Sequence, residues 1–211
     1  NLLLFFTVSN NQNFETIEGD KQSNNIIAIL DLNGPIVNNF SKSLVGNFVE
    51  YIDPDYIKKA LLKLESIKPD ILIVKINSPG GTITASSSLE KIIKNYKEQN
   101  EIEVFFYTNE ILASGAYWVA TSGNKIFANY GSIIGSIGVS GPSWYYYDKP
   151  VAISNGLFGQ KIETESGIQI FNQNAGISKD LYNPFRKPTE RELEHLQNIV
   201  RSIYNDFVVK V

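Results

Sequence analysis

The sequence predicts an α/β fold with a mostly parallel sheet. Three observations predict it: apolar runs of strand length alternate with stretches of helical periodicity, several runs end at glycine turns, and 43% of the 211 residues are hydrophobic. Strands separated by helices form βαβ units, in which neighbouring strands run parallel. A chain of this length and apolar content can bury one substantial core, so we expect a single domain.

The pattern begins with a strand and a helix. Residues 26–32 form the first predicted strand, which ends at Gly34 and Pro35. Asp53 and Pro54 are typical of a helix start, as N-cap and first helical residue. Apolar residues then recur at helical spacing, namely Ile57, Leu61, Leu64 and Ile67.

The next three elements repeat this alternation. Residues 71–76 predict a second strand, residues 84–98 a second helix and residues 103–108 a third strand. The helix is expected to turn four residues inward: Leu89, Ile92, Ile93 and Tyr96. Because parallel sheets bind substrates at the carboxyl ends of their strands, the segments that follow these strands are candidates for a functional site.

The last predicted helix covers residues 190–207. Thr189 and Glu192 have the spacing of a capping box, and apolar residues follow at helical spacing: Leu193, Leu196, Val200, Ile203 and Phe207. The single histidine, His195, lies off this apolar line. The sequence therefore predicts a solvated histidine and disfavours a Ser-His-Asp triad.

Residues 1–25 differ from the rest of the chain. Residues 1–8 are apolar but far shorter than the roughly 20 residues of a spanning helix, so they are the remnant of a membrane anchor or signal segment, or a strand. Residues 9–25 are polar and predict a linker, which places the folded domain at residues 26–211. Because the chain does not begin with methionine, we expect a processed chain or a fragment.

Composition excludes several functions. The chain has no cysteine and one histidine, which excludes disulfides and thiolate catalysis and leaves little for a zinc site, so neither a metal nor a cofactor is implied. The net charge is −3 and no basic block occurs, so nucleic acid is not an expected partner.

Ser114 is the candidate nucleophile. It stands in the segment LASGAYWVA, residues 112–120, shortly after the third strand. A strand that delivers a serine into a tight turn opening a helix points the hydroxyl out of the sheet, and the first N–H groups of the helix favour negative charge beside it. Ordinary turn chemistry is the alternative explanation.

Two adjacent glycines upstream are candidates for an oxyanion hole. Gly80 and Gly81 end the segment NSPGG, residues 77–81, directly after the second strand. Glycine lets the backbone approach a substrate and present its N–H groups to a developing oxyanion. By itself the pair favours a plain strand-to-helix turn, because glycine pairs occur in many such connections.

A third segment, GSIGV at residues 135–139, completes the set. The three segments, in this order and spacing, resemble those of the signal peptide peptidase A family, which are serine proteases with a Ser–Lys dyad. The resemblance covers the chain from about Ile26 to its end. It implies a Clp/crotonase-like spiral of ββα and βαβ units with a mostly parallel sheet, and hydrolysis of peptide bonds.

The same resemblance implies the roles of the site residues. Ser114 is expected to be the nucleophile, Lys179 in a Lys-Asp pair the general base, and Ser136 the hydroxyl that orients the lysine amine. The oxyanion hole is expected at the backbone N–H groups of Gly80 or Gly81 and of Gly115. A lysine can act as base only when desolvation or nearby positive charge lowers its pKa.

The chain departs from the family pattern in two places. Ser114 and Lys179 lie 65 positions apart (179 − 114), longer than the family norm, which leaves Lys161 as a competing base. Ala116 stands where the family more often has glycine. The long stretch includes the aromatic group Trp144 to Tyr147, which lines a substrate groove or packs an inserted hairpin.

The resemblance also implies a cellular setting. It implies a membrane-tethered peptidase on the outer side of the bacterial cytoplasmic membrane, which degrades remnant signal peptides and forms a homo-oligomer. In single-domain members of the resembled family the lysine comes from a neighbouring protomer, so the dyad is expected within one chain or between two. Relatives continue beyond Val211, so we expect a chain truncated at its C-terminus. Two alternatives stay open: a protease of the same family with another protein substrate, phage-type or housekeeping, and a catalytically silent membrane scaffold.

Overall fold

The computed structural model describes residues 2–7, 14–20, 23–38, 50–147, 154–156, 159–161 and 180–211. The chain divides into two compact units. The first consists of residues 1–138 and 205–211, and the second of residues 139–204.

The first unit contains most of the strands and helices. In chain order they are β1 (Leu2–Thr7), β2 (Glu15–Gly19), β3 (Ile26–Asn33), α1 (Pro54–Ile67), β4 (Ile71–Asn77), α2 (Ile83–Asn100), β5 (Glu103–Thr108), β6 (Ile111–Ala113), α3 (Gly115–Ala120), β7 (Lys125–Ala128) and β8 (Ile133–Gly135). The second unit contains the hairpin β9 (Ser154–Gly156) and β10 (Gly159–Lys161). The last helix, α4 (Glu190–Lys210), begins in the second unit and ends in the first.

The main sheet has six strands in the order β2, β1, β3, β4, β5, β7. Every pair is parallel except β1 with β2. The register aligns Ala28 with Leu72 and Leu72 with Val104, so the apolar positions of three adjacent strands share one face. The α/β fold with a mostly parallel sheet is confirmed.

The hydrophobic core lies on that face of the sheet. Alternate residues of β3, β4 and β5 are fully buried, and they share one cluster with apolar residues of α1, α2 and α3. The largest of them is Phe106 on β5. Each fully buried Leu, Ile or Phe side chain stabilises the fold by about 1.5–3 kcal/mol relative to exposure. The helices thereby hold the carboxyl ends of the strands in fixed positions.

Local capping sets the helix boundaries. The Asp53 side chain accepts a hydrogen bond from the Asp55 backbone N at 2.9 Å, and Pro54 is the first residue of α1, as predicted. Thr82 caps α2 in the same way through Ala85 N at 3.3 Å. The capping box of α4 is also confirmed: Thr189 N donates to Glu192 at 2.9 Å, and Glu192 N donates to Thr189 Oγ1 at 3.3 Å.

The N-terminal residues differ from the predicted linker. The apolar residues at the beginning of the chain form a strand, one of the two predicted alternatives. This strand, β1, pairs in parallel with β3 over six residues. Within the predicted linker 9–25, β2 pairs antiparallel with β1. All five residues of β2 are exposed, so backbone hydrogen bonds rather than an apolar face hold this edge strand, and no hydrophobic signal marks it.

Candidate active site

Ser114 occupies the predicted strand-to-helix turn, between β6 and α3. Its backbone has φ 51° and ψ −125°, which is strained for a residue other than glycine. The side chain makes no capping hydrogen bond to α3, and the residue is partly exposed. Strained serine turns of this kind present the hydroxyl above the sheet in enzymes with a nucleophile elbow.

A short parallel sheet aligns Ser136 with Ser114. Strands β6 and β8 pair so that Ala113 lies opposite Gly135, and Ser114 N donates to Gly135 O at 2.8 Å. Ser136 follows directly and also has a positive φ, 53°. The structure thus brings the backbones of the two predicted serines together, although they are 22 positions apart (136 − 114).

The glycine turn after β4 packs directly against Ser114. Gly80 has φ +98°, and a Cβ placed on it would lie 2.8 Å from Ser114 Cβ and 2.7 Å from Gly115 N. Two backbone bonds connect this turn to β6: Ser78 N donates to Ile111 O at 2.8 Å, and Ala113 N donates to Ser78 O at 3.1 Å. Only glycine can occupy position 80, because any side chain would meet the turn that carries Ser114.

The N–H groups of the two glycines have different partners. Gly80 N donates to Ser78 Oγ at 3.1 Å, so it is already satisfied. Gly81 forms a parallel bridge with Ile36, in which Ile36 bonds to the residues on either side of Gly81. Within the described ranges, neither Gly81 N nor Gly115 N has a recorded hydrogen-bond acceptor. A backbone N–H group in a folded protein ordinarily has an acceptor, so these two donors are exceptions among the described residues.

Asn77 is a site residue whose role the sequence did not reveal. Its side-chain oxygen accepts hydrogen bonds from Thr108 Oγ1 at 3.0 Å, Asn109 N at 3.3 Å and Glu110 N at 3.1 Å. These contacts connect the end of β4 to the turn that leads into β6 and Ser114. A polar side chain at the end of a strand is the available signal, but its partners lie more than 30 positions away.

Neither candidate base has a described side chain. Lys179 lies outside the described residues, and Lys161 is described only as the last residue of β10. The roles of both lysines stay predictions. His195 is exposed on α4, as expected of a solvated side chain.

Asp180, the neighbour of Lys179, belongs to an ion-pair network in the second unit. Arg186 donates to both carboxylate oxygens of Asp180, from Nε at 2.7 Å and from Nη2 at 2.8 Å. It also donates to both oxygens of Glu192, at 2.7 and 2.8 Å, and to the Lys187 carbonyl at 3.2 Å. All five guanidinium N–H groups are therefore used. The hydrogen bonds from Arg186 hold the pKa of Asp180 below its usual value, and both carboxylates raise the pKa of Arg186.

Aromatic rings pack against this network. The guanidinium of Arg186 lies 5.3 Å from the centre of the Trp144 ring, and the Tyr182 ring lies 5.2 Å from it on centroids. Trp144 Nε1 donates to Asn183 O at 3.2 Å. Trp144 therefore packs against residues 182–186 of its own unit, and whether the aromatic group lines a substrate groove or packs an inserted hairpin stays a prediction.

The described residues contain neither a candidate metal site nor a candidate membrane-spanning helix. No group of three or more histidine, aspartate or glutamate residues there could hold a metal ion. Of the helices described, none combines the length and apolar character needed to cross a membrane.

One family model matches more than half of the chain. Residues 96–211 match the description Peptidase family S49. A protein of Methanocaldococcus jannaschii provisionally named a protease is 36% identical over 148 residues, 70% of this chain and 42% of the relative. A protein of Enterococcus faecium provisionally named a signal peptide peptidase is 29% identical over 207 residues, 96% of this chain and 54% of the relative. The chain thus spans about half the length of these relatives.

Solved structures superpose on part of the chain. A mutant of the membrane-bound stomatin-specific protease 1510-N, in complex with a substrate peptide, is 19% identical and has a TM-score of 0.42, covering 67% of this chain and 53% of that chain. A mutant ClpP1 from Listeria monocytogenes is 24% identical with a TM-score of 0.34, covering 45% of this chain and 46% of that chain.

Proposed function

This chain belongs to peptidase family S49, and we propose that it hydrolyses peptide bonds with Ser114 as the nucleophile and Lys179 as the general base. The observation that carries the proposal is the strained turn at Ser114, packed against Gly80 and beside two N–H groups without acceptors among the described residues. A structural turn has no need to leave such donors open, whereas acyl transfer requires them.

The reaction proceeds through an acyl-enzyme. Ser114 Oγ attacks the substrate carbonyl carbon while its proton moves to the neutral amine of Lys179. The tetrahedral intermediate collapses when the C–N bond breaks and the leaving amine takes that proton. Water then attacks the acyl-enzyme, again giving its proton to Lys179, and Ser114 leaves with a proton. Ser136 orients the lysine amine.

The oxyanion is held by the backbone N–H groups of Gly81 and Gly115. Gly81 is favoured over Gly80 because Gly80 N is occupied by Ser78 Oγ at 3.1 Å. The loss of one such donor costs about 10²- to 10³-fold in rate in other serine proteases.

The substrate is an extended apolar peptide, such as a remnant signal peptide. Among the described strands β8 pairs with β6 alone, which leaves its other edge open to a peptide strand. Ile133 and Ile134 on β8 and the nearby Ile137 are exposed, as apolar contacts for a substrate require. A membrane tether, an extracytoplasmic location and a homo-oligomer that shares the dyad belong to the same proposal, in line with the relative named a signal peptide peptidase.

Two other functions would leave different signatures. A family protease that acts on another protein would keep the Ser–Lys chemistry but ignore signal peptides. A silent scaffold would lack acylation altogether, which is difficult to reconcile with a strained serine beside open N–H groups.

The test is labelling of the full-length protein with a serine-directed acylating β-lactone probe. Ser114→Ala and Lys179→Ala are expected to lose labelling, because one removes the nucleophile and the other its base. Lys161→Ala and His195→Ala are the controls and keep it. Labelling that survives in Lys179→Ala and disappears in Lys161→Ala would transfer the role of base to Lys161, and labelling of Ser114→Ala would overturn the proposal.

A further inference from the structure

Ser86 carries a buried hydroxyl without a partner. It lies on α2, is 1% exposed, and its Oγ has no hydrogen-bond partner in the part of the chain that the structure describes. A helical serine can satisfy its hydroxyl by donating to the carbonyl four residues earlier, which here is Thr82 O. Ser86 Oγ makes no such bond, and Thr82 O accepts only the backbone N of Ser86 among the described contacts, at 2.9 Å. An unpaired buried hydroxyl destabilises a fold, so its presence requires an explanation.

The hydroxyl points at Gly115. A Cβ placed on Gly115 would overlap Ser86 Oγ, and it would lie 3.0 Å from Ser86 Cβ and 3.3 Å from Gly81 N. The α-hydrogen of Gly115 occupies the direction in which that Cβ would project, so it forms a weak C–H···O contact with the hydroxyl. Ser86 Oγ thus contacts the backbone of Gly115, whose N–H group has no acceptor among the described residues.

The backbone at this contact is under strain. Ser114 has a positive φ, and its carbonyl carbon is bonded to Gly115 N. A strained peptide relaxes unless its neighbours hold it in place. Gly80 holds one side of the turn, where a Cβ would come within 2.7 Å of Gly115 N, and Ser86 holds the other.

We propose that Ser86 is a positioning residue, whose hydroxyl oxygen keeps the peptide between Ser114 and Gly115 in the orientation that directs Gly115 N–H at the oxyanion. The inference rests on the proposed function and adds to it a residue outside the three motifs. Ser86 does not touch the substrate, since its Oγ is inaccessible to solvent. It acts through the donor that it supports.

The first test is Ser86→Ala in the full-length protein. The rate of acylation by the β-lactone probe is expected to fall roughly 10-fold, because a misplaced donor loses part of its transition-state interaction. The ratio of the native acylation rate to that of Ser86→Ala is expected to be the same from pH 6 to 9, since the substitution changes no titrating group. The melting temperature does not fall, because the variant removes an unpaired buried hydroxyl. A residue with only a structural role would lose stability as well as activity.

Ser122→Ala is the matched control. Ser122 is also a buried serine, 4% exposed, but its Oγ donates to Val119 O at 2.7 Å, at the opposite end of α3 from Gly115. This variant keeps the acylation rate of the native protein and loses a little stability. The inference is overturned if Ser86→Ala acylates at the native rate. It is also overturned if the acylation rate of this variant falls only in proportion to its fraction of folded protein.

A size swap tests the contact independently. Gly115→Ala places a methyl group where Ser86 Oγ lies and is expected to acylate slowly, whereas adding Ser86→Gly makes room and restores part of the rate. If the double variant is as slow as Gly115→Ala alone, the contact is not what positions this peptide. The proposed function and the role of Ser86 can fail independently. If Ser114→Ala is still labelled, the proposed function is wrong. If Ser114→Ala loses labelling but Ser86→Ala acylates at the native rate, only the role of Ser86 is rejected.

Discussion

Around Arg186 every guanidinium N–H has an acceptor, whereas around Ser114 the described contacts leave two backbone N–H groups and one buried hydroxyl without any. Positive φ occurs in both regions, at Ser114 and Ser136 and also at Tyr182. The turn at Ser114 is in addition packed so closely against Gly80 that no Cβ fits there.

The contrast indicates what each region is for. A network in which all donors and acceptors are paired stabilises its surroundings and has nothing left to offer a substrate. Strain and open donors destabilise a fold, and they persist only where neighbouring packing is strong enough to hold them. The buried cluster beneath β4, β5 and α2 supplies that packing for Ser114. Substitutions around Ser114 should therefore affect mainly activity, and substitutions around Arg186 mainly stability.

The largest expected effect is that of Gly80→Ala. The added methyl group would lie 2.8 Å from Ser114 Cβ and 2.7 Å from Gly115 N, so we expect acylation by the β-lactone probe to slow by about 10²- to 10³-fold. Gly131→Ala is the control, since Gly131 also has a positive φ, +88°, but no atom within 4 Å of the added Cβ. Equal losses in the two variants would mean that backbone strain, not crowding at Ser114, decides the rate.

The next effect is that of Arg186→Gln on stability. The substitution leaves the Glu192 carboxylate, only 6% exposed, without its guanidinium partner, and should lower the free energy of unfolding by roughly 1–3 kcal/mol in urea denaturation. Arg186→Lys should not restore it, because an ammonium cannot bond two carboxylates in the forked geometry. Arg191→Gln, an exposed arginine on the same helix, is the control, and a comparable loss there would contradict the importance of the network.

Acid should weaken the same network by a smaller amount, because protonation of Asp180 removes one of the two carboxylates that Arg186 bonds. Arg186 lowers the pKa of Asp180 in the folded protein. The ion pair between Asp180 and Arg186 therefore stabilises the fold fully above about pH 3.9, the ordinary pKa of aspartate in an unfolded chain. This stabilisation is lost as the pH falls through the lower pKa that Asp180 has in the folded protein. Melting temperatures of the native protein and Asp180→Asn, measured from pH 6 to 2, should converge at the acid end. A constant difference would rule out this ion pair as the source.

The smallest expected effect is that of Thr189→Ala. It removes the cap of α4, in which Glu192 N donates to Thr189 Oγ1 at 3.3 Å, and should cost about 0.5–1 kcal/mol in the free energy of unfolding. Thr189→Ser keeps a capping hydroxyl and should match the native protein in the same denaturation experiment. Acylation should be unchanged, and a slower rate would contradict the separation of activity and stability between the two regions.

The regular elements of the first unit were largely predictable because their signals are local. Strand β5 has the predicted bounds, and β3, β4 and α2 differ from prediction by one or two residues at their ends. The caps at Asp53 and Thr189 depend on residues two or three positions away. Strand β2 was missed because it buries no side chain, so its sequence resembles that of a linker.

The candidate site was predictable only in part. Serine and glycine motifs mark Ser114 and Gly80, because these residues need special backbone conformations. The contacts of Asn77 with residues 108–110 and of Ser86 with Gly115 arise from folding, since about 30 positions separate the partners. Likewise the packing of Trp144 on Arg186 joins residues 42 positions apart (186 − 144), which no local pattern reports.

The hydrogen bond from Ser114 N to Gly135 O has a consequence for changes in chain length. It completes the ladder between β6 and β8 before the first unit gives way to the second at residue 139. Insertions or deletions downstream of that point leave the register of both serines untouched. We therefore expect variants of this chain that are lengthened or shortened after Gly138 to keep the alignment of Ser114 with Ser136.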